Sequence, residues 1–94
     1  PTLLNERLFS FEFPEYPGAL KKFLDTLGEK WNISLFHYRN HGAAEGLVLA
    51  GFEVAEEERQ DFAQHLAELG YLYEEQTDNP AYKFFLADVN GMFD

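Results

Sequence analysis

A chain of 94 residues has room for one core and one small domain. Its formal net charge of −10 leaves no basic face for nucleic acid and none for an anionic membrane. The absence of cysteine excludes disulfides, thiolate metal sites and cysteine nucleophiles, while 46% hydrophobic and 17% aromatic content is ample for folding. No apolar run is long enough to cross a bilayer and no signal-peptide pattern opens the chain, so the expectation is a cytoplasmic protein.

Residues 1–5 read as a linker remnant, because the chain starts at Pro1. Over Glu6 to Phe13 the residues alternate: Phe9, Phe11 and Phe13 on one face, Leu8, Ser10 and Glu12 on the other, the period of a half-buried strand. Pro14 to Pro17 then turn a corner. Leu20, Phe23, Leu24 and Leu27 recur at helical spacing, which predicts a helix over Gly18 to Lys30 with Gly28 as its cap. A strand-to-helix corner that starts its helix on glycine presents backbone N–H groups, either as a seat for a carboxylate or simply as a tight connection.

Asn32 to Asn40 predict a second strand, rich in β-branched and aromatic residues. One face would carry Ile33, Leu35, His37 and Arg39, the other Ser34, Phe36, Tyr38 and Asn40, and periodicity does not say which faces the helices. His41 to Glu45 form a hairpin connection bordered by glycines. Leu47 to Val54 make the third strand, with Val48, Ala50, Phe52 and Val54 facing the core, and with Gly51 marking a bulge or a close backbone approach. Glu56 to Glu58 charge the start of a second helix whose buried stripe is Phe62, Leu66 and Leu69, closed by Gly70. Tyr71 to Glu75 form a fourth strand, Thr77 to Pro80 a turn, and Tyr82 to Leu86 an extra C-terminal strand or packed segment.

The order strand, helix, strand, strand, helix, strand is an α+β, ferredoxin-like βαββαβ sandwich: an antiparallel sheet with two helices on one face. The domain spans residues 6–87, and residues 88–94 form a tail. No catalytic set emerges. His37, His41 and His65 lack metal-ligand spacing, Ser10 and Ser34 lack a nucleophile elbow, and the acidic runs are explained by helix charging and solvation. The polar run His37 to Asn40 stands out, since Arg39 can grip a carboxylate bidentately beside a tyrosine. It can equally pair with a neighbouring strand's glutamate, such as Glu53 or Glu12.

Three blocks carry a family resemblance: Glu6 to Glu15 continued by Pro17-Gly18-Ala19-Leu20; Trp31 to Arg39 with His41-Gly42; and Asn79 to Leu86. Together, in this order and spacing, the chain resembles the second ACT-like regulatory subdomain of biosynthetic threonine dehydratase (threonine ammonia-lyase). The resemblance implies a non-catalytic domain that binds isoleucine as feedback inhibitor and valine as the opposing signal. It places the conversion of threonine to α-ketobutyrate, with its pyridoxal phosphate, on a catalytic domain outside this chain. It also implies other ACT-like subdomains, the catalytic domain and a homo-oligomer as partners. Its effector-contact segment matches Tyr38 and Arg39, and its ligand loop matches Pro17, Gly18, Ala19 and Leu20. An amino acid needs an anion partner, a cation partner and an apolar slot. The expectation is that the N–H groups near Gly18 to Leu20 and Arg39 hold the carboxylate, Leu35 and Tyr38 shape the slot, and a nearby acidic or carbonyl group takes the ammonium. The competing reading is a structural module that pairs with another ACT-like subdomain and binds no ligand of its own.

Overall fold

The computed structural model describes residues 5–40 and 45–82. The hairpin tip, all but the first residue of the extra strand or packed segment expected over Tyr82 to Leu86, the tail and most of the lead-in lie outside the described residues. Within them the order is β1 (Glu6–Pro14), α1 (Ala19–Phe23), β2 (Asn32–Arg39), β3 (Glu45–Glu53), α2 (Arg59–Leu69) and β4 (Tyr73–Glu75). The strands form one sheet in the order β2-β3-β1-β4, and every described pairing is antiparallel. This is the split βαβ layout that the order of elements predicts.

The alternation of β1 decides which face is covered. Phe9, Phe11 and Phe13 point into the core, where they meet Phe23 and Leu27 from the first helix and Phe62, Leu66 and Leu69 from α2. Phe52 on β3 joins Phe9 and Phe62 in edge or tilted ring contacts at 6.2 and 5.2 Å. Such tilted aromatic packing adds to the burial itself. Leu8, expected on the solvated face, is also buried; it pairs with Gly51, its N–H donates to Thr77 Oγ1 at 3.0 Å and its carbonyl accepts from Gln76 N–H at 2.7 Å.

Three expectations need correction. The first helix is α-helical only to Phe23 and continues as a π-helical segment over Leu24–Gly28. Gly28 is not a left-handed cap there, since among the described residues Gly18 and Gly70 are the glycines with positive φ. A Cβ at Gly28 would instead stand 3.2 Å from Ile33 Cδ1, so the glycine admits a close approach by β2. The fourth strand starts at Tyr73, not Tyr71, because Tyr71 turns inward and is buried.

The third correction is the parity of β2. A bulge between Ile33 and Leu35 sets two residues against one of β3, so Ile33 opposes Phe52 and Phe36 opposes Ala50. Ile33, Phe36 and Tyr38 therefore share the helix-facing side, whereas Leu35, His37 and Arg39 lie on the outer side with Gly51, Leu49 and Leu47. Gly51 sits opposite the bulge, where an added Cβ would meet Ser34 Oγ at 2.7 Å; this is the close approach that a glycine in mid-strand signals.

One ion pair closes the sheet's far end. Arg7 donates from Nε and an Nη to the two carboxylate oxygens of Glu75, at 3.0 and 2.9 Å, while its guanidinium covers the Phe9 and Phe62 rings. The Arg7 hydrogen bonds hold the Glu75 carboxyl below its ordinary pKa, against the opposing effect of burial. A carboxyl with a depressed folded-state pKa stabilises fully above the usual carboxylate range and loses that contribution as the pH falls through the folded value. In acid titrations followed by melting temperature, Glu75→Gln should start lower at neutral pH and lose less stability on acidification.

Candidate functional site

The corner between β1 and α1 is built by local chemistry. Pro14 ends the strand, Gly18 takes a left-handed φ of 92° that favours glycine, and the Ala19 N–H donates to Tyr16 O at 3.2 Å. That bond occupies one of the donors expected to face a ligand. The corner is also pinned from below: the buried Tyr71 hydroxyl donates to Ala19 O at 2.7 Å. Burial, and then a hydrogen bond with the Tyr16 side chain, push the Tyr71 phenol far above its ordinary pKa, so it remains a donor throughout the physiological range.

On the helix side of this corner lies a groove of about 340 Å³, walled by Phe13, Tyr16, Ala19, Leu20, Phe36 and Tyr38. Tyr16, Leu20, Phe36 and Tyr38 are 40–49% exposed, so a row of large apolar side chains faces outward. At the rim stands Glu15. Its Oε2 accepts from the Tyr38 hydroxyl and, at 2.8 Å, from Asn40 Nδ2. These two bonds lower the Glu15 pKa, the tyrosine's contribution being larger, and Glu15 in turn raises that of Tyr38.

The bridge from Glu15 to Tyr38 passes over β3 at Gly46. An added Cβ there would stand 2.5 Å from Tyr38 Cε1 and 2.6 Å from Glu15 Oε2. A second bridge, from Ser34 Oγ to Glu6, passes over Gly51 on the outer face. Both tie the edge strand β2 to β1 or its exit across a residue without a side chain.

The residues singled out from sequence do not form one pocket. Ala19, Leu20 and Tyr38 line the corner groove, and Pro17 and Gly18 form the exposed tip beside it. Leu35 and Arg39 are on the opposite face of the sheet, as strand geometry requires of residues flanking Tyr38 and its face-mates. Arg39 helps line a separate groove of about 310 Å³ with His37, Leu47 and Tyr82. Glu53 is not beside Arg39: it pairs with Asn32 at the other end of β2, while Leu47 stands opposite Arg39 and separates it from Glu12. Glu15, Asn40, Phe36 and Gly46 went unrecognised as site residues. Asn40 had a signal in the polar run, and Gly46 had one in its place beside the hairpin.

The pattern of the family described as the C-terminal regulatory domain of threonine dehydratase matches residues 2–86. The chain belongs to that family. It is 62% identical over 84 residues to L-threonine dehydratase biosynthetic IlvA of Escherichia coli, covering 89% of this chain and 16% of the relative. The corresponding protein of Pasteurella multocida is 61% identical over 84 residues, with 88% and 16% covered. The mitochondrial threonine dehydratase of Saccharomyces cerevisiae is 56% identical over 82 residues, with 87% and 14% covered. The chain thus spans about one sixth of the length of these bacterial relatives (16%). What it contains is their regulatory domain. A solved structure of the regulatory subunit of aspartate kinase from Thermus thermophilus superposes with a TM-score of 0.60 at 17% identity, covering 80% of this chain and 52% of that one. This agrees with the ACT-like fold.

Pyridoxal phosphate, placed by the resemblance on another domain, does not fit the lysines described here. A Schiff-base lysine needs a desolvated pocket. Lys21 and Lys30 are exposed and paired with Asp25 and Asp61 at 2.7 Å, and exposed Lys22 lies over the Tyr71 ring. No described helix is long and apolar enough to cross a membrane.

Proposed function

We propose that this domain senses isoleucine as inhibitor and valine as antagonist for a pyridoxal-phosphate-dependent threonine dehydratase, and that the effector occupies the β1–α1 groove. One observation carries the reading: in a threonine dehydratase regulatory domain, exposed apolar walls and an ionised, hydrogen-bonded rim meet at a single corner. Leu20, Phe36 and Tyr38 would take the branched side chain, and the corner at Pro17 to Ala19 would face the carboxylate. Isoleucine and valine differ by one methylene, worth roughly 1–3 kcal/mol in an apolar slot. Opposite effects therefore require different preferences for two states of the whole enzyme, not merely different affinities.

Arg39 enters this scheme from the other side. It is joined to Tyr38 by one peptide bond and faces away from the groove, so β2 would link effector contact to whatever packs against the outer face. Edge strand β2, with the apolar Leu24, Phe36 and Tyr16 near it, suits pairing with another ACT-like subdomain in a cytoplasmic oligomer.

Isothermal titration of the 94-residue chain with isoleucine, valine and threonine, alongside its mass in solution, tests the reading. Saturable binding of isoleucine or valine, with threonine silent, is the expected result. A folded chain that binds none of the three overturns it.

A further inference from the structure

We propose that the apolar run Phe84-Phe85-Leu86 folds back over the outer face of the sheet and covers the groove between β3 and β2, with Asp88 paired to Arg39. The proposal is independent of the effector-binding reading, since it concerns the face opposite the corner groove.

The register lays out this face. Ser10, Leu49 and His37 stand in one row across β1, β3 and β2, and Glu12, Leu47 and Arg39 in the next. The two leucines of the middle strand help line the groove of about 310 Å³, and Leu47 is 53% exposed. A leucine that open on a central strand lacks a cover, because both helices pack on the other side. The chain itself is led to this place by a series of hydrogen bonds. Gln76 Nε2 donates to Ser10 Oγ at 3.1 Å, Asn79 Nδ2 to Gln76 Oε1 at 2.8 Å, and the Ala81 N–H to Asn79 Oδ1 at 3.0 Å. Ala81 and Tyr82 then form part of the groove wall. Three large apolar residues, Phe84, Phe85 and Leu86, begin two positions later. An extended chain advances about 3.3 Å per residue and neighbouring strands lie about 4.8 Å apart, so these residues reach Leu49 and Leu47 and Asp88 reaches Arg39.

Charge and tethering favour this occupant over a second copy. Among the described residues Arg39 has no hydrogen-bond or ion-pair partner. Residues 83–94 bring two aspartates and one lysine to it. A second copy would bring a like-charged chain of net charge −10, whereas a segment joined at Tyr82 is present at an effective concentration on the order of millimolar. Burying two phenylalanines against two leucines removes apolar surface of both from water.

The thiol introduced by Leu47→Cys reads the cover, because the chain has no other cysteine and alkylation requires access. In the 94-residue chain a water-soluble alkylating reagent should attack it about tenfold or more slowly than after removal of residues 83–94. Phe84→Ser combined with Phe85→Ser should restore the fast rate in a chain of full length, which keeps the test decisive where the shortened chain fails to fold. Leu72→Cys, at a position 68% exposed and away from the groove, should react at one fast rate throughout. Arg39→Asp should speed alkylation of the Leu47→Cys thiol, and adding Asp88→Arg should slow it again. A fast rate at Leu47→Cys in the 94-residue chain overturns the proposal. So does protection that survives the two serine substitutions; if it grows with protein concentration, a second copy covers the face instead. A charge exchange that restores nothing overturns the Arg39–Asp88 pair.

Discussion

Truncating Phe52 to alanine is expected to cost about 3–5 kcal/mol, a large share of the 5–15 kcal/mol that holds a small domain together. Phe52 is fully buried and lies at the centre of the aromatic core. Its ring stands 6.2, 6.4, 6.0 and 5.2 Å from those of Phe9, Phe11, Phe23 and Phe62. Two of these neighbours sit on β1 and one on each helix, so the hole would open between sheet and helices at once. β3 is hydrogen-bonded on both sides, to β1 and β2, and cannot move inward to fill it. A urea titration should show the midpoint fall with little change in slope. Phe36→Ala is the internal comparison. Phe36 touches the rings of Phe13 and Phe23 but is 40% exposed, so its loss should cost well under half as much. Similar costs for the two would mean that Phe52 does not occupy the core as described.

How much of this was legible in the sequence depends on how local the cause is. β1 could be read because its alternation runs unbroken beneath two helices, and α2 because its stripe and Gly70 lie within one element. The faces of β2 could not be read. A single extra residue at Ser34 reverses parity, and nothing in a window of eight residues announces a bulge made by pairing with a distant strand. Gly51 did signal a close approach, and Ser34 is what approaches it. The separation of Tyr38 from Arg39 was implicit in the period of two, yet the resemblance drew them together as one contact segment. Glu15 was hidden differently. It is one of 17 acidic residues, and its partner Tyr38 lies 23 residues away, so only the register of β1, β3 and β2 brings them together.

That register makes Gly46 the sharpest test of where the site lies. Gly46→Ala places a methyl group 2.5 Å from the Tyr38 ring and 2.6 Å from the Glu15 carboxylate, closer than real contacts allow. Both groups are exposed and can swing outward, so the overpacking cost should fall near the low end of the usual 1–3 kcal/mol. Swinging outward, however, breaks the bridge that orients the carboxylate and removes the Tyr38 wall of the groove. Isoleucine binding should therefore fall at least tenfold, roughly 1.4 kcal/mol or more, in a protein that still folds. Gly51→Ala is the matched control, because its methyl group meets Ser34 Oγ at 2.7 Å and Glu6 Oε2 at 3.2 Å on the opposite face. It breaks the equivalent bridge and clamps the same edge strand less firmly, but leaves the corner groove untouched. If binding drops only in Gly46→Ala, position over the groove is what matters. If both variants lose binding equally, the effector is reading the attachment of β2 as a whole, and the corner loses its claim to be the site.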